Sequence, residues 1–202
     1  MQTNTYPGMF IVFEGLDGSG QSTQAELLRC YFKDNKNSVI LTKEPTEDSE
    51  SGKIIRKILR KEVKVKPDEF QKLFVQDRRE HLNNLIIPNL KDGKFVISDR
   101  YFLSTCAFGG INLDIEELIE LNKEFILPNI TFFLNVDPKI CLDRICKRGK
   151  RFEFFEEEKK LIKVRQNYIK LAERFSNIYI INGEPPKEMV FKEILNKFKE
   201  LI

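Results

Sequence analysis

Apolar residues gather in five short runs, separated by longer stretches in which they recur every three or four positions. The runs are MFIVFEG (9–15), SVILTKE (38–44), KFVISDR (94–100), ITFFLNV (130–136) and IYIIN (178–182). Rich in β-branched and aromatic residues and apolar at successive positions, they predict strands buried on both faces, as in a parallel sheet. The stretches between them predict helices near 20–34, 50–60, 67–91, 114–126, 138–147, 154–176 and 186–202. Pro67 suits a first helical turn, Asp137 caps a helix begun by Pro138, and EPPKE (184–188) opens the last helix. Pro88 is expected to end or kink the third. Strand and helix alternating on this scale imply a three-layer α/β fold.

Composition narrows the partners. The chain has 202 residues, 41% hydrophobic and 32% charged, and no linker, repeat or low-complexity tract, so one domain spanning 1–202 is expected. Lys and Arg number 34 against 31 Asp and Glu, a net charge of +3, which makes no case for nucleic acid or membrane as a partner. No run approaches the roughly 18 apolar residues of a membrane span, and the N-terminal residues lack a secretory pattern. Cys30, Cys106, Cys141 and Cys146 form no C-x-x-C pair and read as inert thiols. A reducing compartment, the cytoplasm, is the expected location.

The chemistry begins at GLDGSGQST (15–23), directly after the first strand and before the first helix. Gly15, Gly18 and Gly20 suit a loop whose backbone N–H groups, Ser19 included, curl around phosphate oxygens, with the helix N-terminus adding positive potential. Ser22 is placed for Mg²⁺ and Thr23 for a phosphate oxygen. Gln21 stands where the pattern G-x-x-x-x-G-K-[ST] has its lysine, which removes a charge that would follow the phosphoryl group during transfer. At the end of the third strand, Asp99, Arg100 and Tyr101 fall at the carboxyl edge of the sheet, where such folds bind ligands. Asp99 there can hold a metal-bound water and Arg100 a phosphate.

Several further segments, in order, resemble the thymidylate kinases: LFVQDRREH (73–81), SDRYFLSTCA (98–107), TKEPTEDSESGKIIR (42–56), LPNITFFLNVDPKICLDRICKRG (127–149) and VRQNYIKLA (164–172). The resemblance implies a P-loop nucleoside triphosphatase fold with a five-stranded parallel sheet and a short lid near 144–155. It implies ATP as phosphoryl donor, dTMP as acceptor, Mg²⁺ as cofactor, and a homodimer packed through helices. Phe74 would stack on thymine and Arg78, one helical turn later, would hydrogen-bond the base, although Leu73 and Phe74 also fit a buried stripe. Thr105 would meet the base edge; Tyr101 and Ser104 belong to the same acceptor site, and Asp17 would lie near the acceptor sugar and phosphate. Arg100 and Lys43 would hold the acceptor phosphate, Lys43 standing where the family commonly has Arg. Phe108 replaces a frequent tyrosine near the sugar and Gly109 a frequent glutamine. The basic lid offers Arg148, Lys150 and Arg151 as catalytic cations, with Arg144 facing the same nucleotide; Asn182 and Gly183 lie where the family closes over adenine. His81 reads as a helix-surface or packing residue without chemistry.

The reaction implied is ATP + dTMP giving dTDP + ADP, with Gln21 at most hydrogen-bonding a phosphate oxygen and Mg²⁺ with the lid cations replacing the lysine. Two other readings stay open: a kinase for another monophosphate such as dUMP, suggested by Phe108 and Gly109, and a nucleotide-binding protein without transfer activity, suggested by Gln21.

Overall fold

A computed structural model describes residues 1–149 and 154–201. Its elements begin with a two-residue strand, β1 (Gln2–Thr3), paired in parallel with another, β5 (Ile126–Leu127); neither is signalled by so short a run. The main sheet comprises β2 (Met9–Gly15), β3 (Val39–Lys43), β4 (Phe95–Asp99), β6 (Ile130–Asn135) and β7 (Ile178–Asn182), in the order β3-β4-β2-β6-β7 and parallel throughout. These are the five runs read from the sequence.

Side-chain alternation along the central strands feeds two separate cores. Phe10 and Val12 of β2, Val96 of β4 and Phe133 of β6 point to one face. Ile11, Phe13, Ile97, Phe132 and Leu134 point to the other. The second face is covered by α1 (Gln21–Asp34) and α9 (Lys187–Leu201) through Ala25, Leu28 and Phe32 and through Val190, Ile194 and Phe198. The first is covered by α3 (Pro67–His81), α4 (Ile87–Lys91), α5 (Phe102–Gly109), α6 (Ile115–Leu121), α7 (Pro138–Cys146) and α8 (Phe154–Arg174). Helix α2 (Glu50–Leu59) packs on α3. The result is the three-layer α/β fold expected.

Three helical segments depart from expectation. The third helical stretch does not end at Pro88 but runs on to Lys91. A π turn, Leu82–Ile86, joins α3 to α4, with the Ile87 N–H donating to the Leu82 carbonyl five residues back. In α-helical register the proline ring would meet the carbonyl four residues before it; the wider turn gives it room, and Asn89 Nδ2 donates to the Leu85 carbonyl at 2.7 Å. Helix α5, FLSTCAFG, shows no helical periodicity because it is buried on nearly every side. It lacks a capping side chain of its own; the Glu14 carboxylate, from the sheet, takes its first N–H groups instead, from Tyr101 (2.9 Å) and Ser104 (3.2 Å). The helix expected at 114–126 is shorter, because after Leu121 the chain turns into β5.

Candidate active site

Parallel register brings the strand ends to one edge: Phe13 lies opposite Asp99, and Asp99 opposite Lys43. The loop after β2 starts from that edge. Gly18 adopts φ +85°, and a Cβ there would stand 2.5 Å from the Cys141 carbonyl oxygen of α7, so only glycine fits. Gly20, at φ +100°, is the residue before α1, whose first N–H groups have no side-chain cap and are available to an anion.

Gln21 does not reach into the open loop. Its side chain is buried, and its surroundings orient the amide with nitrogen toward the Leu16 carbonyl (2.9 Å) and oxygen toward Arg100 Nη2 (2.6 Å) and Nε (3.2 Å). Arg100 itself sits at φ +75°, a conformation rare outside glycine, fixed by its N–H donating to the Phe13 carbonyl (2.9 Å) and by the Ser98 hydroxyl donating to its own carbonyl (2.7 Å). Its guanidinium donates to Gly15 O (3.0 Å), Ser104 Oγ (2.9 Å) and Asp17 Oδ1 (2.8 Å), and lies 5.3 Å from the Phe108 ring centroid. Asp17, Gln21, Arg100, Ser104 and Phe108 thus form one cluster. The Gln21 amide is thus directed at Arg100 and the Leu16 carbonyl.

Behind this cluster the Glu14 carboxylate is fully buried. Besides the α5 N–H groups it accepts from Ser104 Oγ (2.5 Å) and Tyr168 Oη (2.9 Å). Burial pushes its pKa up to about 7, against the opposing pull of Arg100 and of these hydrogen bonds. The signal for Glu14 was present as an acid in an otherwise apolar strand.

A cavity of about 550 Å³ opens from Arg100 and Asp17 and ends against α3 and α5, lined there by Phe74, Arg78, Thr105 and Gly109. Arg78 is 1% exposed. Its charge is matched by Glu44 at 2.7 Å, and it donates to Asn122 Oδ1 (2.5 Å) and Thr105 Oγ1 (3.1 Å). His81 is buried, not on the helix surface, and bridges Glu44 Oε1 (3.2 Å) and Thr42 Oγ1 (2.7 Å). The turn carrying Glu44 is tied to α3 by Asp77, which accepts from the Thr46 N–H (2.9 Å) and from the hydroxyls of Thr46 and Ser49. Glu44, Asn122 and Asp77 were not anticipated; their partners lie 28 to 44 residues away in sequence. Phe74 packs on Phe70 with centroids 5.0 Å apart and keeps part of its surface toward the cavity.

Lys43 lies away from the expected site, and Tyr101 lies in it with its hydroxyl turned elsewhere. Tyr101 lines the cavity, but its hydroxyl donates away from it, to the Ile126 carbonyl (3.1 Å). Lys43 lies outside this cavity, in a neighbouring one, and pairs with exposed Glu47 at 2.7 Å, four residues along the chain.

On the donor side, Ser22 Oγ donates to Asp99 Oδ2 (2.5 Å), while Asp99 Oδ1 is buried with no partner among the described residues. No group of three or more His, Cys, Asp or Glu that could hold a metal occurs among the described residues. A hydroxyl and a carboxylate fit Mg²⁺, which takes its remaining ligands from phosphates and water. Thr23, Arg144 and Arg148 line a second cavity of about 470 Å³, together with Gly18, Ser19, Gly20 and Gly183. Arg144 donates to the carbonyls of Gly183 (3.1 Å) and Glu184 (3.0 Å), so it staples the 183–184 turn to the loop. Asn182 Oδ1 accepts from the Glu184 N–H (3.1 Å), shaping that turn. Lys150 and Arg151 lie outside the described residues. Cys106 and Cys141 are buried, with pKa pushed up to about 12 by desolvation.

Comparison with known proteins bears on what this edge does. The family model for thymidylate kinase matches residues 13–194. The "Probable thymidylate kinase" of Thermococcus kodakarensis is 42% identical over 96% of this chain and 98% of its own length. That of Thermococcus onnurineus is 42% identical over 93% and 95%. The "Thymidylate kinase" of Desulfotalea psychrophila is 36% identical over 97% and 96%. With the phosphate loop, the strand-end arginine and the closed-ended cavity on one sheet edge, this likeness along nearly the whole chain shows that it belongs to the thymidylate kinase family.

Proposed function

We propose that this protein transfers the γ-phosphoryl group of ATP to dTMP, giving dTDP and ADP. One observation carries the reading: Arg100 lines the acceptor cavity while donating to Gly15 and Gln21 of the phosphate loop, so a single guanidinium joins donor and acceptor sites. The base of dTMP lies against Phe74, Arg78 and Thr105, with its phosphate at Arg100 and Asp17. Adenine occupies the cavity beside Arg144, Asn182 and Gly183, with the donor phosphates on the loop N–H groups of residues 18–23.

In this arrangement an acceptor phosphate oxygen attacks the γ-phosphorus in line. No general base is needed, because that phosphate is largely ionised near neutral pH. Ser22 and Asp99 are the residues that would hold Mg²⁺, which neutralises charge on the donor phosphates when bound. Arg100, fixed before substrate arrives, supplies charge where lysine is missing without having to reorganise. Arg148, with Lys150 and Arg151, adds cations from the lid and excludes water as it closes. The protein acts in the cytoplasm as a single-domain chain, paired as a homodimer through helices including α3.

The test is a screen of nucleoside monophosphates with ATP and Mg²⁺. The expected outcome is the highest kcat/KM with dTMP. Equal or better turnover with dUMP or another base would overturn the thymidylate assignment.

A further inference from the structure

We propose that Glu14 is a positioning residue of the acceptor-phosphate site: by taking the protons of the Ser104 and Tyr168 hydroxyls, it turns their lone pairs toward Arg100. The inference rests on reading Arg100 as the holder of that phosphate. Glu14 is 0% exposed and lines neither the acceptor nor the donor cavity, so it acts on substrate only through its neighbours. Its carboxylate forms a triangle with the two hydroxyls. Ser104 Oγ and Tyr168 Oη lie 2.5 and 2.9 Å from Glu14 Oε2 and 2.9 Å from each other. Arg100 Nη1 stands outside the triangle, 2.9 Å from Ser104 Oγ and 3.5 Å from Tyr168 Oη.

Proton accounting assigns the role. A guanidinium only donates, so every group around it has to present an acceptor. Gly15 offers a backbone carbonyl, Asp17 a carboxylate, and Gln21 an amide oxygen whose direction the Leu16 carbonyl sets. The hydroxyls of Ser104 and Tyr168 are different, because each can rotate to show Arg100 a lone pair or a proton. An ionised carboxylate only accepts, so the two hydroxyl protons serve the three contacts of the triangle and both stay inside it. Lone pairs are then what Arg100 Nη1 meets. An amide at residue 14 reverses this. Glu14 Oε1 accepts the Tyr101 and Ser104 backbone N–H groups, so an amide oxygen would be held at that corner and its NH₂ group pressed onto the hydroxyls. Two amide protons and two hydroxyl protons exceed the three contacts, and the surplus hydroxyl proton faces the guanidinium.

The supports of this triangle are rigid. Glu14 belongs to β2, and the Arg100 N–H donates to the Phe13 carbonyl of the same strand, so carboxylate and guanidinium are referenced to one sheet. Tyr168 comes from α8 with its ring stacked on Phe133 of β6, centroids 4.8 Å apart. Ser104 sits in the first turn of α5, the helix whose N–H groups Glu14 caps. Preorganised polarity of this kind lets a charged group hold an incoming phosphate without first reorienting its neighbours.

The experiment measures binding, so that it stands apart from turnover. Isothermal titration at about pH 8.5, where the Glu14 carboxyl and the nucleotide phosphate are both ionised, gives Kd for dTMP and for thymidine. Thymidine carries the base and sugar without the phosphate, so it reports an intact cavity independently of Arg100. Glu14→Gln is expected to raise Kd for dTMP about tenfold, as for one lost hydrogen bond to a charged group, and to leave Kd for thymidine within about twofold. A Glu14→Gln protein that binds dTMP as tightly as the unaltered chain, or weakens dTMP and thymidine equally, overturns the proposal. Adding Ser104→Ala to Glu14→Gln tests the route and should raise Kd for dTMP no further; an added loss as large as Ser104→Ala causes alone overturns it. If Glu14→Gln does not fold, Tyr168→Phe, which keeps the stacked ring at a position 1% exposed and off the cavity wall, must weaken dTMP more than thymidine; an equal effect on both overturns the proposal. An intact preference for dTMP without phosphoryl transfer would overturn the kinase reading alone.

Discussion

The guanidinium of Arg100 is a fixed charge. Its backbone is locked in a left-handed turn, and its side chain, 15% exposed, is divided between Asp17, Gly15 and Gln21. A glutamine in the lysine position thus exchanges a mobile ammonium for an amide that orients a charge already present. Lysine at 21 would instead set two cations together in a buried loop. Glu14, behind the cluster, gives the molecule a pH response. Its carboxyl has an ordinary pKa of 4.5 and reaches about 7 in the fold, so between those values the folded state binds more protons than the unfolded state. Stability from this group is fully present below about pH 4.5 and is lost as pH rises through about 7, by up to about 3 kcal/mol. Glu14→Gln is expected to remove that slope, since the Ser104 and Tyr168 hydroxyls can turn to accept from an amide. Urea unfolding at pH 5 and pH 8 checks it: an equal pH difference in both proteins would contradict the assignment.

Among the elements, the strands were the most legible. Each was a run of apolar residues on both faces, and a buried parallel strand has no other way to appear in sequence. Phe132 shows what such a position contributes: it is 0% exposed and lies 5.4 Å from Phe13, centroid to centroid. Phe132→Ala should cost about 3–5 kcal/mol, measured by urea unfolding, whereas a loss under about 1 kcal/mol would contradict its central place. Helix α5 was illegible because burial on nearly all sides erases periodicity, and because its cap comes from Glu14, more than 80 residues upstream. The helix runs on through Pro88 for a local reason: the proline rule assumes α register, and the π turn ahead of it changes the register.

At the scale of the whole molecule, the site was legible wherever spaced residue types sit beside a strand end. The loop glycines and Arg100 were legible this way, whereas Asp17, Arg78 and Thr105 came from the family resemblance; Asp17, Arg78, Arg100 and Thr105 line one cavity. What the sequence did not carry was direction: which way Gln21 turns, that Lys43 faces Glu47, and that Glu44 neutralises Arg78. Those choices are made by contacts across the sheet edge, between residues far apart in the chain. Arg100 is where they meet, and its place on one cavity wall while donating to Gly15 and Gln21 of the loop is the reason to expect transfer without a loop lysine. The initial rate of ADP and dTDP formation from ATP, Mg²⁺ and dTMP tests this most directly, measured for the unaltered chain beside Gln21→Met and Gln21→Lys. The account predicts robust turnover by the unaltered chain and a kcat about tenfold or more lower in Gln21→Met, where Arg100 loses its holder. An unaltered chain that forms no product while Gln21→Lys does would contradict it.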